Sequence, residues 1–101
     1  MDELRYGNTA LDLAAAVLRC GEAQVRLSAR EFGVMRQLMQ HGEGHVSKEL
    51  LLERVWGFDS NAVENHVEVY VGFLRKKLRS IGSDVRIEAV RRLGYHLEAE
   101  G

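Results

Sequence analysis

The reactive side chains of this sequence are scattered, and their spacing does not assemble a catalyst. Four histidines (His41, His45, His66 and His96) and the single cysteine, Cys20, lack zinc-site spacing. No serine, histidine and aspartate form an interpretable nucleophile grouping, and no glycine-rich phosphate loop precedes a helix. Catalytic residues, metal ligands and cofactors are therefore not expected. The sequence concentrates charge instead. Residues 1–74 carry seven Lys/Arg against eleven Asp/Glu, residues 75–92 carry seven against two, and residues 93–101 add two acids. A chain of net charge −1 thus holds all its positive excess in Arg75, Lys76, Lys77, Arg79, Arg86, Arg91 and Arg92. Such a segment is a local electrostatic footprint of the kind that meets phosphate.

Positioning these cations falls first to residues 62–80, AVENHVEVYVGFLRKKLRS, which read as one long amphipathic helix. At 100° per residue, Val63, Val67, Tyr70, Val71, Leu74 and Leu78 share an arc of about 100°. That stripe is wide enough to dock on a core. The opposite side carries Asn65, Val69, Gly72 and Lys76, flanked by His66 and Phe73. One reading is a core helix whose basic end suits the helix macrodipole. The other is a helix whose outer face lies in a DNA groove. The helix alone leaves both open.

The rest of the chain supplies context. At 101 residues it suits one domain with a modest core. No apolar run approaches a membrane span, no signal peptide follows Met1, and one cysteine excludes an internal disulfide, so the expected compartment is the cytoplasm. Residues 3–28 show short alternating runs separated by Gly7-Asn8 and Gly21-Glu22, the pattern of a small antiparallel sheet; Ala14–Ala16 leave a helix there as a weaker alternative. Ser28 and Glu31 form a capping-box pattern ahead of a helix with Phe32, Met35, Leu38 and Met39 on one face. Ser47 caps a second helix over 48–56, ended by Gly57. Asn61 and Glu64 repeat the capping-box pattern at the long helix. Beyond Gly82 the period changes to two, predicting a hairpin over 85–98 with Arg91 and Arg92 at its tip.

The predicted fold is α+β: an N-terminal antiparallel sheet (3–28), three helices (29–80) and a C-terminal β-hairpin (85–98). Two short helices, a long one with a free outer face, and a basic-tipped hairpin are the layout of a winged helix-turn-helix. The long helix suits a major groove, where base edges are distinguishable, and the wing arginine suits a minor groove of negative potential.

The ordered set Ser28–Phe32, Val46–Leu52, Val55–Gly57, Val67–Val71, Leu74–Leu78 and Ile87–Arg91 with Gly94-Tyr95 resembles the OmpR/PhoB-type effector domain of bacterial two-component response regulators. The resemblance spans roughly residues 4–98. It implies sequence-specific binding of double-stranded DNA, head-to-tail dimers on direct repeats, and transcription regulation in a phosphorelay. It further implies a receiver domain before Met1 and a loop, here Phe58, Asp59 and Ser60, that touches RNA polymerase. DNA contacts carry over to Asn65, His66, Val69, Gly72, Phe73 and Lys76 on the helix, Arg75 toward the backbone, and Arg91 and Arg92 on the wing.

Three positions depart from the family pattern. Polar or basic residues often stand where this chain has Gly72 and Phe73, and glycine usually stands where it has Arg92. Gly72 is either a point of close backbone approach to DNA or a tolerated surface glycine. Phe73 either meets a thymine methyl or packs on the wing. Trp56 and Tyr95 read as core residues, His66 as a solvated side chain unless it faces the groove, and Glu68 as a pairing partner for a cation. A winged helix that docks on another protein instead of DNA is the competing function, favoured by the acidic overall charge, Gly72, Phe73 and Val69.

Overall fold

The computed structural model describes residues 2–58 and 61–100. It opens with an antiparallel sheet in the order β1 (Glu3–Tyr6), β2 (Thr9–Asp12), β3 (Val17–Cys20), β4 (Ala23–Arg26). Its register aligns Leu4 with Leu11, Leu11 with Leu18, and Leu18 with Val25, so one apolar row crosses the sheet and meets the helices. Arg5 pairs with Glu3 and Arg19 with Asp12, as period-two alternation requires of the other face. Residues 14–16 are a turn, not the helix left open above. The Asp12 carboxylate accepts from the Ala14 and Ala15 amides at 3.0 Å, and Ala16 takes φ +56°, which closes the chain on itself before a helix can propagate.

Helix α1 (Ala29–His41) starts with the expected reciprocal cap: Ser28 N–H donates to Glu31 Oε1 at 2.8 Å, and Glu31 N–H to Ser28 Oγ at 3.3 Å. Met35, Leu38 and Met39 are buried as the periodicity predicts, and Val34 joins them. The extended link after α1 then does more than connect. Val46 exchanges both backbone hydrogen bonds with Tyr95, at 2.8 and 2.9 Å, adding a short third strand to the C-terminal hairpin.

Ser47 Oγ accepts from Leu50 N–H to open α2 (Lys48–Leu51). The predicted helix over 48–56 keeps its length but changes its winding: Leu52–Trp56 form a π-helical turn, closed by Gly57 N–H donating to Leu52 O at 3.0 Å. In this widened turn Val55 lies against Gly33 of α1, where an added Cβ would stand 3.0 Å from Val55 Cγ1.

Helix α3 runs Glu64–Ser80, two residues shorter at its start than the predicted 62–80. The Asn61–Glu64 capping box is not the cap that forms. Val63 is the N-cap residue, its N–H donates to His66 Nδ1 at 3.0 Å, and its carbonyl accepts from His66 N–H at 2.8 Å. A histidine ring acceptor at the third helical position thus takes the place of the expected carboxylate. Of the predicted stripe, Val67, Val71, Leu74 and Leu78 are fully buried and Tyr70 is half-buried, whereas Val63 is 56% exposed, because as the N-cap residue it precedes the first helical turn and does not follow the wheel.

The hairpin consists of β5 (Val85–Val90) and β6 (Gly94–Ala99), paired from Val85 with Ala99 to Val90 with Gly94. It is tied back to the first sheet: Tyr6 Oη donates to Leu97 O at 2.8 Å, and Asn8 and Asp84 exchange amide-to-side-chain hydrogen bonds at 3.2 and 3.0 Å. One hydrophobic cluster, from Leu11 and Leu18 through Met35, Leu51 and Leu74 to Ile87 and Leu97, fills the space between.

Candidate nucleic-acid interface

The buried stripe of α3 leaves its opposite face outward. Asn65, His66, Val69, Phe73 and Lys76 are exposed there and Gly72 is half-buried. The predicted helix-face residues therefore come together on one surface. Val69 is 44% and Phe73 45% exposed, against 0–2% for the four inward residues Val67, Val71, Leu74 and Leu78. An alanine methyl at Gly72 would meet nothing within 4 Å.

Two members of this face have intramolecular roles that the sequence did not disclose. His66 spends Nδ1 on the Val63 cap, which leaves only Nε2 of its ring for an outside partner. Phe73 sets its ring edge-on to Tyr70, with centroids 5.3 Å apart, rather than standing free. Tyr70 in turn meets Trp56 edge-on at 5.4 Å, and the Arg30 guanidinium lies 5.2 Å over the Trp56 ring. Trp56 and Tyr70 are half-buried and pack on the core, and Tyr95 is fully in it, as read from the sequence.

The basic segment divides. Lys77 turns inward, and its Nζ donates to Glu31 Oε1 at 2.6 Å and to Arg26 O at 2.8 Å. Burial pushes the Glu31 carboxyl up, but the Lys77 and Ser28 hydrogen bonds outweigh it and hold the group below the usual carboxylate value. Arg86 lies across the wing strands among Glu88, Glu98 and Glu100, at 3.3, 3.1 and 3.1 Å. Arg75 donates through Nε and Nη2 to Ile87 O at 3.0 and 2.6 Å, clamping β5 to α3. The partner is a neutral carbonyl, so no carboxylate offsets the guanidinium there. Lys76, Arg79, Arg91 and Arg92 are exposed and form no ion pair among the described residues.

Beside α3, the start of α2 and the wing turn border a groove of about 470 Å³ lined by Lys48, Glu64, Glu68, Arg75, Arg91 and Arg92, among others. Glu68 takes the pairing role: Lys48 Nζ donates to it at 2.7 Å, and that bond raises the Lys48 pKa above its ordinary value. The wing turn explains the Arg92 departure. Arg92 has φ +71°, in the left-handed region where glycine carries no Cβ penalty. The hairpin holds arginine in that conformation, and its tip carries the added charge. Of the predicted polymerase-contact loop, Phe58 is 85% exposed; Asp59 and Ser60 lie outside the described residues.

A four-stranded sheet, three helices with an outward third, and a hairpin wing define a winged-helix domain. The family described as "Transcriptional regulatory protein, C terminal" matches residues 21–97, and the chain belongs to it. This is the OmpR/PhoB-type DNA-binding domain, a family of transcription regulators and not of enzymes. The chain is 37% identical to the transcriptional regulatory protein DltR of Streptococcus agalactiae over 96% of its own length and 43% of that protein. It is 33% identical to the response regulator MprA of Mycobacterium tuberculosis, covering 93% of this chain and 41% of that protein. The chain thus spans less than half the length of these curated relatives. Among solved structures, the C-terminal domain of the nisin resistance regulator NsrR, a lantibiotic response regulator, superposes with a TM-score of 0.81 at 36% identity, covering 98% of this chain and all of that one. No helix among the described residues is long and apolar enough to cross a membrane.

Proposed function

We propose that this chain is the output domain of a two-component response regulator and binds double-stranded DNA with sequence specificity. Helix α3 lies in the major groove, and Arg91 enters the minor groove or follows its backbone. The observation that carries this reading is the division of α3. One face is sealed into the core, while the other presents Asn65, Val69, Phe73 and Lys76 to solvent, beside a wing tip of exposed Arg91 and Arg92. Lys76, Arg79, Arg91 and Arg92 supply phosphate contacts, and the helix face supplies base contacts. Arg75, bound to the Ile87 carbonyl, sets the angle between helix and wing and retains donors for a phosphate.

In the full-length protein, a receiver preceding this chain brings two copies head to tail on a direct repeat in the cytoplasm. Phe58, Asp59 and Ser60 belong to the loop proposed to meet RNA polymerase; the exposure of Phe58 supports that role.

The test is selection of the domain against a random duplex pool, followed by titration of the enriched duplex at two salt concentrations. A short repeated motif should emerge, with affinity falling as salt rises by about 0.9 log unit per log unit for each phosphate contact. Arg91→Ala should lower that slope by about 1 and weaken binding about tenfold. Two tethered copies should bind more tightly than one. The exposed Val69 and Phe73 favour one alternative, a protein-docking surface. It predicts no enriched motif and nearly salt-insensitive binding that depends on Phe73.

A further inference from the structure

We propose that Val69 and Phe73 form a reader of thymine methyl groups, so that the DNA site of this domain carries thymines beneath them. The inference rests on the DNA reading above and names what that face selects. The two side chains stand one helical turn apart, and both are nearly half exposed on a helix whose inward residues are sealed. A single exposed apolar residue calls for no explanation, but two stacked on the outer face of one helix form a small apolar patch. The same face holds one cation, Lys76, and one amide, Asn65.

Base-edge chemistry narrows the ligand. Guanine is read by bidentate arginine or lysine, adenine by asparagine or glutamine, and cytosine by a carboxylate. The apolar group that a base pair presents in the major groove is the thymine C5-methyl. An aliphatic and an aromatic side chain are complementary to that group and form no hydrogen bond with the polar atoms of the base edges.

Geometry supports the match. Four residues of helix rise about 6 Å, close to two base-pair steps of about 3.4 Å, so the pair can meet two methyls along one groove. The Phe73 ring is already held, edge-on at 5.3 Å to Tyr70, which is braced at 5.4 Å by Trp56. A ring that already rests against a neighbour has less rotamer freedom to lose on contact. Gly72 beside it has open space above its Cα, which keeps the helix surface low where the groove floor would approach.

The experiment takes the duplex enriched by selection and replaces thymine with deoxyuridine one position at a time, which removes only the methyl. The wild-type domain should lose about fourfold in affinity at each of two positions, the value of one buried methyl-sized group. Phe73→Ala should abolish the difference at one position and Val69→Ser at the other, with far-UV circular dichroism unchanged. Uracil forms that all bind as tightly as the parent duplex overturn the methyl contact and leave the DNA reading standing. Methyl preferences that survive in both variants also overturn it. Failure to enrich any duplex overturns the DNA reading itself, and the methyl contact with it.

Discussion

Lys77 turns toward α1 and ends on the buried Glu31 carboxylate, whereas Lys76, one residue earlier, ends in solvent on the outer face. The glycines repeat the contrast. A Cβ on Gly94, at φ +110°, would fall 2.1 Å from the Val46 carbonyl oxygen, while one on Gly72 would touch nothing within 4 Å. The inward side of the α3–wing unit uses cations and glycine to hold elements together, and the outward side leaves the same residue types uncommitted. Residue type and local sequence are therefore poor guides to role here, and the direction of the side chain decides. A basic segment can be counted whole in the sequence, yet Lys77 is spent on the buried Glu31 carboxylate and Arg86 is paired with surface carboxylates of the wing. The contrast also makes a rule for side chains: inward changes should move stability, and outward changes should move affinity, unless the change also alters helix propensity, as at Gly72.

Gly94→Ala is the strongest inward test. Its methyl would collide with backbone, which has no rotamer to yield, at a φ that L-residues rarely adopt. The expected loss is about 3–5 kcal/mol, combining overpacking with backbone strain. Urea unfolding monitored at Trp56 reads it. A loss under about 1 kcal/mol would mean that the Val46–Tyr95 bridge does not fix the wing.

Lys77→Ala comes next, at about 3 kcal/mol, because it leaves Glu31 charged and buried without its cation. Its pH dependence is diagnostic. In the wild type the Glu31 pKa is held down, so its stabilisation is present above the unfolded value, about 4.3, and fades as pH falls through the lower folded value. In the variant, burial acts with less opposition and the folded pKa rises, so protonation relieves the defect. The stability gap between the two proteins should therefore close as pH drops below about 4, and a gap that persists unchanged to pH 3 would place its origin in packing. Lys76→Ala is the matched control and should leave unfolding unchanged while weakening DNA binding.

Local signals in the sequence carried much of this architecture. Alternation of Leu4 with Tyr6, Leu11 with Leu13 and Val25 with Leu27 between turn residues predicts the sheet, the Ser28–Glu31 spacing predicts the α1 cap, and the wheel separates the two faces of α3 except at Val63. What escaped depends on partners distant in sequence or on competition between equivalent caps. Nothing near Lys77 marks Glu31 as its partner, nothing near Arg75 marks the Ile87 carbonyl, and the pairing of Val46 with Tyr95 exists only once the hairpin has folded back. Gly94 was the available clue to that close approach. At α3 the sequence offers Asn61 with Glu64 as the capping pair, in line with residue preference; the helix instead starts two residues later, where the ring nitrogen of His66 accepts from the Val63 amide. The winding change at Leu52–Trp56 leaves no mark on hydrophobic periodicity, since the helix still begins and ends where the caps put it.

Gly72→Ala is the smallest change and the sharpest outward test. Glycine inside a helix costs about 1 kcal/mol relative to alanine, and the open space above Gly72 means that alanine can recover that amount without a clash. The free domain should therefore become more stable by about 1 kcal/mol, the opposite sign to Gly94→Ala. Affinity for the enriched duplex then separates the two meanings of this glycine. If α3 sits deep enough for its backbone to approach the base edges, the added methyl occupies that approach and binding weakens although the free protein is more stable. If Gly72 is a tolerated surface residue, binding is unchanged and stability alone rises. A stabilised domain that binds DNA less well would show that the exposed face gives up folding stability to let the helix lie close to the bases.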